Sequence, residues 1–315
     1  MPKNQVPFQR GYRLPEFLQE YGREEHCRAA LFQWRWPAGF PCLGCGSSGY
    51  CTLQSRPIYQ CHRCHRQTSL LSGTVFDSTK LPLTTWFLVI YWLTQTKNGL
   101  SALALKRPLG ISYNAAWRVK HKLMHVMKER EDESPLKGLI PLDDAYWGGR
   151  SQGGKRGRGA NKKTPFVAAV ATNEAGHPRS MRLSWLKGFR KAEIAAWSTK
   201  HLHEGAPVVS DGLGCFAAVT AAGCTHEVII TGKGPSSVPL EAFTGVNTVL
   251  GNVKNALHGT YHALAAKHLP RYLAEFSYRF NRRFQLKARV PRLGYAAVRT
   301  PPMPQRLLKL AEVWW

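Results

Sequence analysis

The sequence predicts a mixed α/β protein in three parts: a small cysteine-bearing ribbon, a helical segment, and a larger core of alternating strands and helices. Three observations predict it. CLGC (42–45) and CHRC (61–64) bracket two short strand-like runs, YCTLQ and PIYQ. From 80 to 130 the apolar residues follow a helical pattern. After the polar linker EDESPLKG (131–138), short apolar runs alternate with turns and amphipathic stretches in the order β-β-β-α-β-α-β-α. With 315 residues, 43% of them hydrophobic, the chain can form two or three domains with a real core.

Residues 13–70 read as a helical lead-in, ending in QWRWPAGFPC, followed by the ribbon. The cysteine spacing is C-x2-C, fifteen residues, C-x2-C, which suits a tetrahedral zinc site. Cys42, Cys45, Cys61 and Cys64 are the expected ligands of a structural Zn²⁺, with Gly44 and Gly46 easing the knuckle turns. Two disulfides are the alternative, which an intracellular setting disfavours. His62, His65 and Cys51 lie nearby, but a closed four-cysteine site has no vacancy for them. Cys27, Cys215 and Cys224 read as core residues.

The segment 80–130 begins with LPLTTWFLVIYWLTQTK, whose apolar run of eight residues is far short of the roughly 20 a membrane span needs. It continues as SALALKRPLGISYNAAWRVKHKLMHVMKER, which has the shape of a helix-turn-helix. Gly110 marks the turn and Ser112 caps the second helix. Along that helix Trp117, Val119 and Leu123 alternate with Arg118, Lys120 and Lys122. Asn114, Arg118, Lys120 and Lys122 are the candidate DNA contacts of a helix lying in the major groove. The same residues also suit an ordinary solvated basic face.

The core is expected over 138–285 and a C-terminal tail over 286–315. LIPLDDAYWGG opens it as a strand; PFVAAVAT and RSMRLSWL flank the turn NEAGHP. A mobile basic loop is expected at 150–163. KAEIAAWSTKHL reads as a helix, APVVSD as a buried parallel strand, CFAAVTAAG as helical and THEVIIT as a strand. Residues 232–245 read as loop and 246–283 as largely helical. Asp143 and Asp211 each end an apolar strand, as carboxylates at a shared sheet edge do. Together they would need a cation, and Mg²⁺ favours oxygen ligands. On pattern alone, strand-end turn residues fit these positions equally well. Asn247 and Lys254 are seven residues apart and share a helix face. Asn247 stands where a third acid is expected and suits a helix cap too.

Charge narrows the partners. Lys and Arg total 44 against 19 Asp and Glu, for a net charge of +25. The excess is present on both sides of residue 138, with 19 basic to 9 acidic before and 25 to 10 after. A basic surface along the whole chain suits a nucleic acid. The first ten residues, MPKNQVPFQR, lack a secretory apolar stretch, so a cytoplasmic, nucleoid-associated protein is expected.

The ordered set RWPAGFPCLGCG, CHRCHRQTSLLSGTVFDSTKLPLTTWF, GISYNAAWRVKHKL, LDDAYWGG, VVSDG, VNTVLGNVKNALHGTYHAL and KHLPRYLAEFSYRFNRR resembles the DDE-type transposases of bacterial insertion sequences, in the ISXO-like group with an N-terminal zinc ribbon. The resemblance spans about residues 15–285. It implies an RNase H-like core, two catalytic Mg²⁺ or Mn²⁺ ions, and cut-and-paste transposition of DNA between terminal inverted repeats and a target. It implies a homo-oligomer in the active complex and no membrane. By the same resemblance Asp143 and Asp211 are the first two acids, Asn247 occupies the third, and Lys254 is the family lysine. Some members carry Asn in the third place. Asp144 is the reserve for Asp143, where the family has Glu, and Glu241 and Glu275 are reserves for Asn247. A catalytically inactive DNA-binding relic is the alternative reading, and Asn247 is the residue that supports it.

Overall fold

The computed structural model describes residues 11–53, 58–148, 163–230, 241–261 and 264–310. The expected basic loop, apart from Lys163, lies outside the described residues, as do 232–240 and His262. The chain divides into two compact units, one of 1–126 with 282–309 and one of 127–281 with 310–315.

In the first unit α1 (Leu14–Tyr21) and α2 (Glu24–Arg35) lead into a three-stranded antiparallel ribbon. Its strands are β1 (Tyr50–Leu53), β2 (Ile58–Cys61) and β3 (Gln67–Ser69). Trp36, Phe40, Tyr50 and Tyr59 pack ring against ring beside it, with centroids 5.1–6.0 Å apart. This small domain thus has an aromatic core in place of an aliphatic one. Then come α3 (Leu83–Gln95), α4 (Ala102–Leu109) and the start of α5 (Tyr113–Asp132). The Glu24 carboxylate accepts the orphan N–H groups of Leu83 and Thr84 at the start of α3, at 3.0 and 3.2 Å. Between α4 and α5, Gly110 adopts φ 62° and Ser112 Oγ accepts the Ala115 N–H, the expected turn and cap.

The residues expected as a tail contain two further helices, α9 (Arg289–Ala297) and α10 (Gln305–Lys309). α9 packs on α2 and α3. Its Arg289 is buried and donates to the Thr94 carbonyl at the end of α3. The arginine therefore closes orphan acceptors that a helix end leaves open.

The second unit is built on a five-stranded sheet. Its strands are β4 (Ile140–Trp147), β5 (Thr164–Thr172), β6 (Pro178–Trp185), β7 (Pro207–Ser210) and β8 (Thr225–Val228). The spatial order is β6-β5-β4-β7-β8. The first three strands are antiparallel, and β4, β7 and β8 are parallel. α6 (Lys191–His201) follows β6, and a 3₁₀ helix (Phe216–Ala222) joins β7 to β8. α7 (Glu241–Thr260) and α8 (Leu269–Asn281) complete the unit.

The pleat gives the sheet two apolar faces. Ala145, Phe166, Ala168 and Val209 pack with Val246, Val249, Leu250 and Val253 of α7. Leu142, Val167, Ala169 and Val208 pack with Ile194, Trp197, Phe216 and Val219 on the other face. The expected β-β-β-α-β-α-β-α order is realised. The start of α7 is earlier than the sequence indicates, because Phe243 and Val246 already lie on its buried stripe.

Candidate active site and metal centres

In the ribbon, the four predicted thiols converge. Their sulfur atoms lie within 4.8 Å of one another, with Cys42 to Cys64 at 3.4 Å and Cys45 to Cys61 at 3.6 Å. All eight cysteines are free of disulfides. The knuckle amides point at sulfur: Gly44 N–H donates to Cys42 at 3.4 Å and Arg63 N–H to Cys61 at 3.3 Å. Donation from Gly44 is the main cause that draws the Cys42 thiol down to about 6, while Cys64, against the pull of the Arg66 N–H, is held up by the neighbouring Cys42 and Cys45 sulfurs. Four soft donors in this arrangement fit Zn²⁺. Cys27, Cys215 and Cys224 are buried core residues, as expected.

In the second unit the ends of two parallel strands create an acidic edge. Pairing of β4 with β7 stops at Leu142 and Ser210. Asp143 and Asp211 are the next residue of each strand, so parallel pairing brings them side by side. Gly212 follows with φ 86°, a conformation that turns the chain away at once. Asp211 accepts the Leu213 N–H at 3.1 Å, which fixes the turn. Asp144 joins the other two: one carboxylate oxygen from each of Asp143, Asp144 and Asp211 lies within 4.8 Å of the others. Burial, then Asp144 and Asp211, push the Asp143 carboxyl up to about 6; the Asp144 N–H, at 2.8 Å, and the Lys254 ammonium pull the other way.

The seven-residue spacing in α7 sets Asn247 and Lys254 on one exposed face. The helix lies against the face of the sheet that carries Ala168, the residue opposite Asp143. Lys254 thus acts electrostatically on Asp143. His258, one turn on, stacks on Trp147 at 4.5 Å. Of the reserve acids, Glu275 is 1% exposed and committed elsewhere: Arg279 donates to it at 2.6 Å and the Tyr261 hydroxyl at 3.1 Å. It is an internal ion pair, and Arg279 is thereby a packing residue.

The helix expected to face DNA needs correction. Asn114 and Arg118 are exposed, but Lys120 is 1% and Lys122 8% exposed. Lys122 donates to the Val75 carbonyl at 2.8 Å and lies over the Trp86 ring. Lys120 Nζ meets the Met124 sulfur at 3.2 Å. The helical period explains this: Ala116, Lys120, Leu123 and Met127 form one buried stripe, whereas alternation by two is a strand pattern.

The sheet order, its two covered faces and the acids at the β4–β7 edge are the arrangement of an RNase H-like core. Residues 135–281 match the family model described as ISXO2-like transposase domain, and residues 22–67 match the transposase zinc-ribbon domain. A protein of Halobacterium salinarum, described as an uncharacterized protein in transposable element ISH50, is 24% identical over 132 residues. That alignment covers 41% of this chain and 44% of the relative, so the chain spans under half of that protein's length. The chain thus carries an ISXO2-like transposase domain behind a transposase zinc ribbon. Among the described residues no helix is long and apolar enough to cross a membrane.

Proposed function

We propose that the chain cuts DNA at the terminal inverted repeats of its insertion sequence and joins the freed 3′ ends to target DNA, by cut-and-paste. The convergence of Asp143, Asp144 and Asp211 at one sheet edge, inside the matched transposase domain, carries this reading. Carboxylates this close repel one another, and the hard oxygen donor set fits a divalent cation. Asp143 and Asp211 would hold two Mg²⁺ or Mn²⁺ ions, with the Asn247 amide oxygen as a neutral donor. When bound, such ions activate an attacking oxygen and stabilise the leaving oxygen of a phosphodiester.

The protein's own groups supply binding and orientation. Lys254 Nζ steadies a substrate phosphate beside Asp143. Asn114 and Arg118, the exposed members of the helix-turn-helix, contact DNA, and the zinc ribbon adds to recognition of the ends. Joining two ends requires a homo-oligomer. No covalent protein–DNA intermediate is needed, because water and then the DNA 3′-OH are the nucleophiles.

The test is a cleavage and strand-joining assay on DNA carrying the gene's own flanking ends, with Mg²⁺ or Mn²⁺. Wild type should cut and join. Asp143→Ala and Asp211→Ala should each lose about a thousandfold or more, the loss of several kcal/mol of transition-state stabilisation. Wild type that binds the ends yet never cuts them would instead mark a DNA-binding relic.

A further inference from the structure

Asn247 leaves the Asp143–Asp211 site one negative charge short of a three-acid set, and the structure brings a third carboxylate to the site from an unexpected place. Resting on the reading of that site given above, we propose that Asp144 is the third anionic metal ligand, taking the charge role that Asn247 lacks.

Strand geometry makes its arrival a specific finding. Neighbouring residues of a strand point to opposite faces. Asp143 lies opposite Ala168, on the α7 face of the sheet, and Asp144 lies opposite Val167, on the α6 face. In a strand paired on both sides their carboxylates would be separated by the sheet. Here β7 stops at Ser210, level with Leu142, so β4 continues with its β7-side edge unpaired through 143 and 144. Asp144 reaches around that edge, and its carboxylate comes within 4.8 Å of both Asp143 and Asp211. Asp144 is also only partly buried, so a cation can reach it from solvent.

Charge favours the same assignment. A divalent ion gains more from a third carboxylate than from a neutral amide, and hard cations of this kind select oxygen anions. Glu275 is removed from contention by its ion pair with Arg279. Among the described residues, no other acid joins the Asp143–Asp211 cluster. The expected division of labour is therefore three ligand carboxylates from the β4–β7 edge, with α7 contributing Lys254 and the neutral Asn247.

The test reads binding, not turnover. Mn²⁺ is titrated into the full chain, with zinc in the ribbon, and free Mn²⁺ is followed by electron paramagnetic resonance. Asp144→Asn keeps the side-chain shape and should weaken Mn²⁺ binding about tenfold or more, the scale seen when groups around a metal are removed. Asn247→Ala, which removes only a neutral donor, should weaken it less than Asp144→Asn does, by about threefold or under, below that scale. Adding Asn247→Glu to Asp144→Asn should restore affinity by returning the third charge from α7. Thermal unfolding without Mn²⁺ verifies that each variant is folded. Wild-type affinity in Asp144→Asn, with loss in Asp143→Asn and Asp211→Asn, would overturn the role of Asp144 and leave the site intact. Unchanged binding in Asp143→Asn and Asp211→Asn would overturn the site itself, and Asp144 with it.

Discussion

The ribbon and the sheet edge each gather groups suited to a metal within 4.8 Å, yet the two sites are built in opposite ways. The ribbon has three short strands and an aromatic cluster beside them; its two halves meet at the sulfurs. Such a domain gains little from burial alone, so a metal held by the four sulfurs would complete the fold. The aspartates instead sit on a sheet covered on both faces by apolar helices. There the fold holds mutually repelling charges in place, and a bound divalent ion would relieve the repulsion. On the proposed reading, a metal in the ribbon would support structure, and one at the sheet edge would be positioned by structure for chemistry.

Stripping zinc with a chelator is the strongest challenge to this contrast. The ribbon should unfold, with loss of the near-ultraviolet signal from Trp36, Tyr50 and Tyr59, while the five-stranded core persists. Cys61→Ser should do the same, and a ribbon that stays folded without zinc would erase the distinction. Next in size is Glu275→Gln. It leaves Arg279 buried without its anionic partner and should cost the core about 3–5 kcal/mol in denaturant unfolding, with Mn²⁺ binding retained. An equal loss of Mn²⁺ affinity would return Glu275 to the metal site.

Gly294→Ala probes the first unit away from its metal. A Cβ there overlaps the Trp34 ring, so about 1–3 kcal/mol of stability should be lost, with zinc content unchanged. Asp143→Asn, in the absence of divalent ions, should do the reverse and raise core stability by about 1–2 kcal/mol at pH 7. The sign follows from a folded-state carboxyl held up at about 6: its ionised form is disfavoured by folding, and the penalty grows as pH rises through that range. Acidification gives a gentler probe. His201 and His268 are held down to about 4, chiefly by burial, then by Arg182 and Arg271 respectively. The unfolded chain binds their protons first, so core stability should fall as pH drops from about 6.5 towards 4.

Much of this architecture is legible in the sequence, because its signals are local. Cysteine spacing marks the ribbon, and alternating strands and helices mark the core in the right order. Asp143 and Asp211 stand out because each ends an apolar run that parallel pairing then aligns. What is illegible depends on partners distant in sequence. Arg289 closes the end of α3 nearly two hundred residues earlier, so a segment that reads as a tail is helical and packed. Lys120 and Lys122 look like solvated cations until the i, i+4 stripe of α5 and the Val75 carbonyl are in view. Asp144 reads only as a reserve for Asp143 until β7 is seen to stop at Ser210 and the three carboxylates to converge.

The most direct measurement follows the metal-stripped full chain as Zn²⁺ and Mg²⁺ are returned separately, recording near-ultraviolet circular dichroism and DNA joining in the same samples. The account expects Zn²⁺ alone to restore the ribbon signal without joining. Mg²⁺ added to the zinc-loaded chain should then start joining with no change in fold, and Asp143→Asn should block only that second step. Joining by the zinc-loaded chain without Mg²⁺, or undiminished joining by Asp143→Asn, would contradict it.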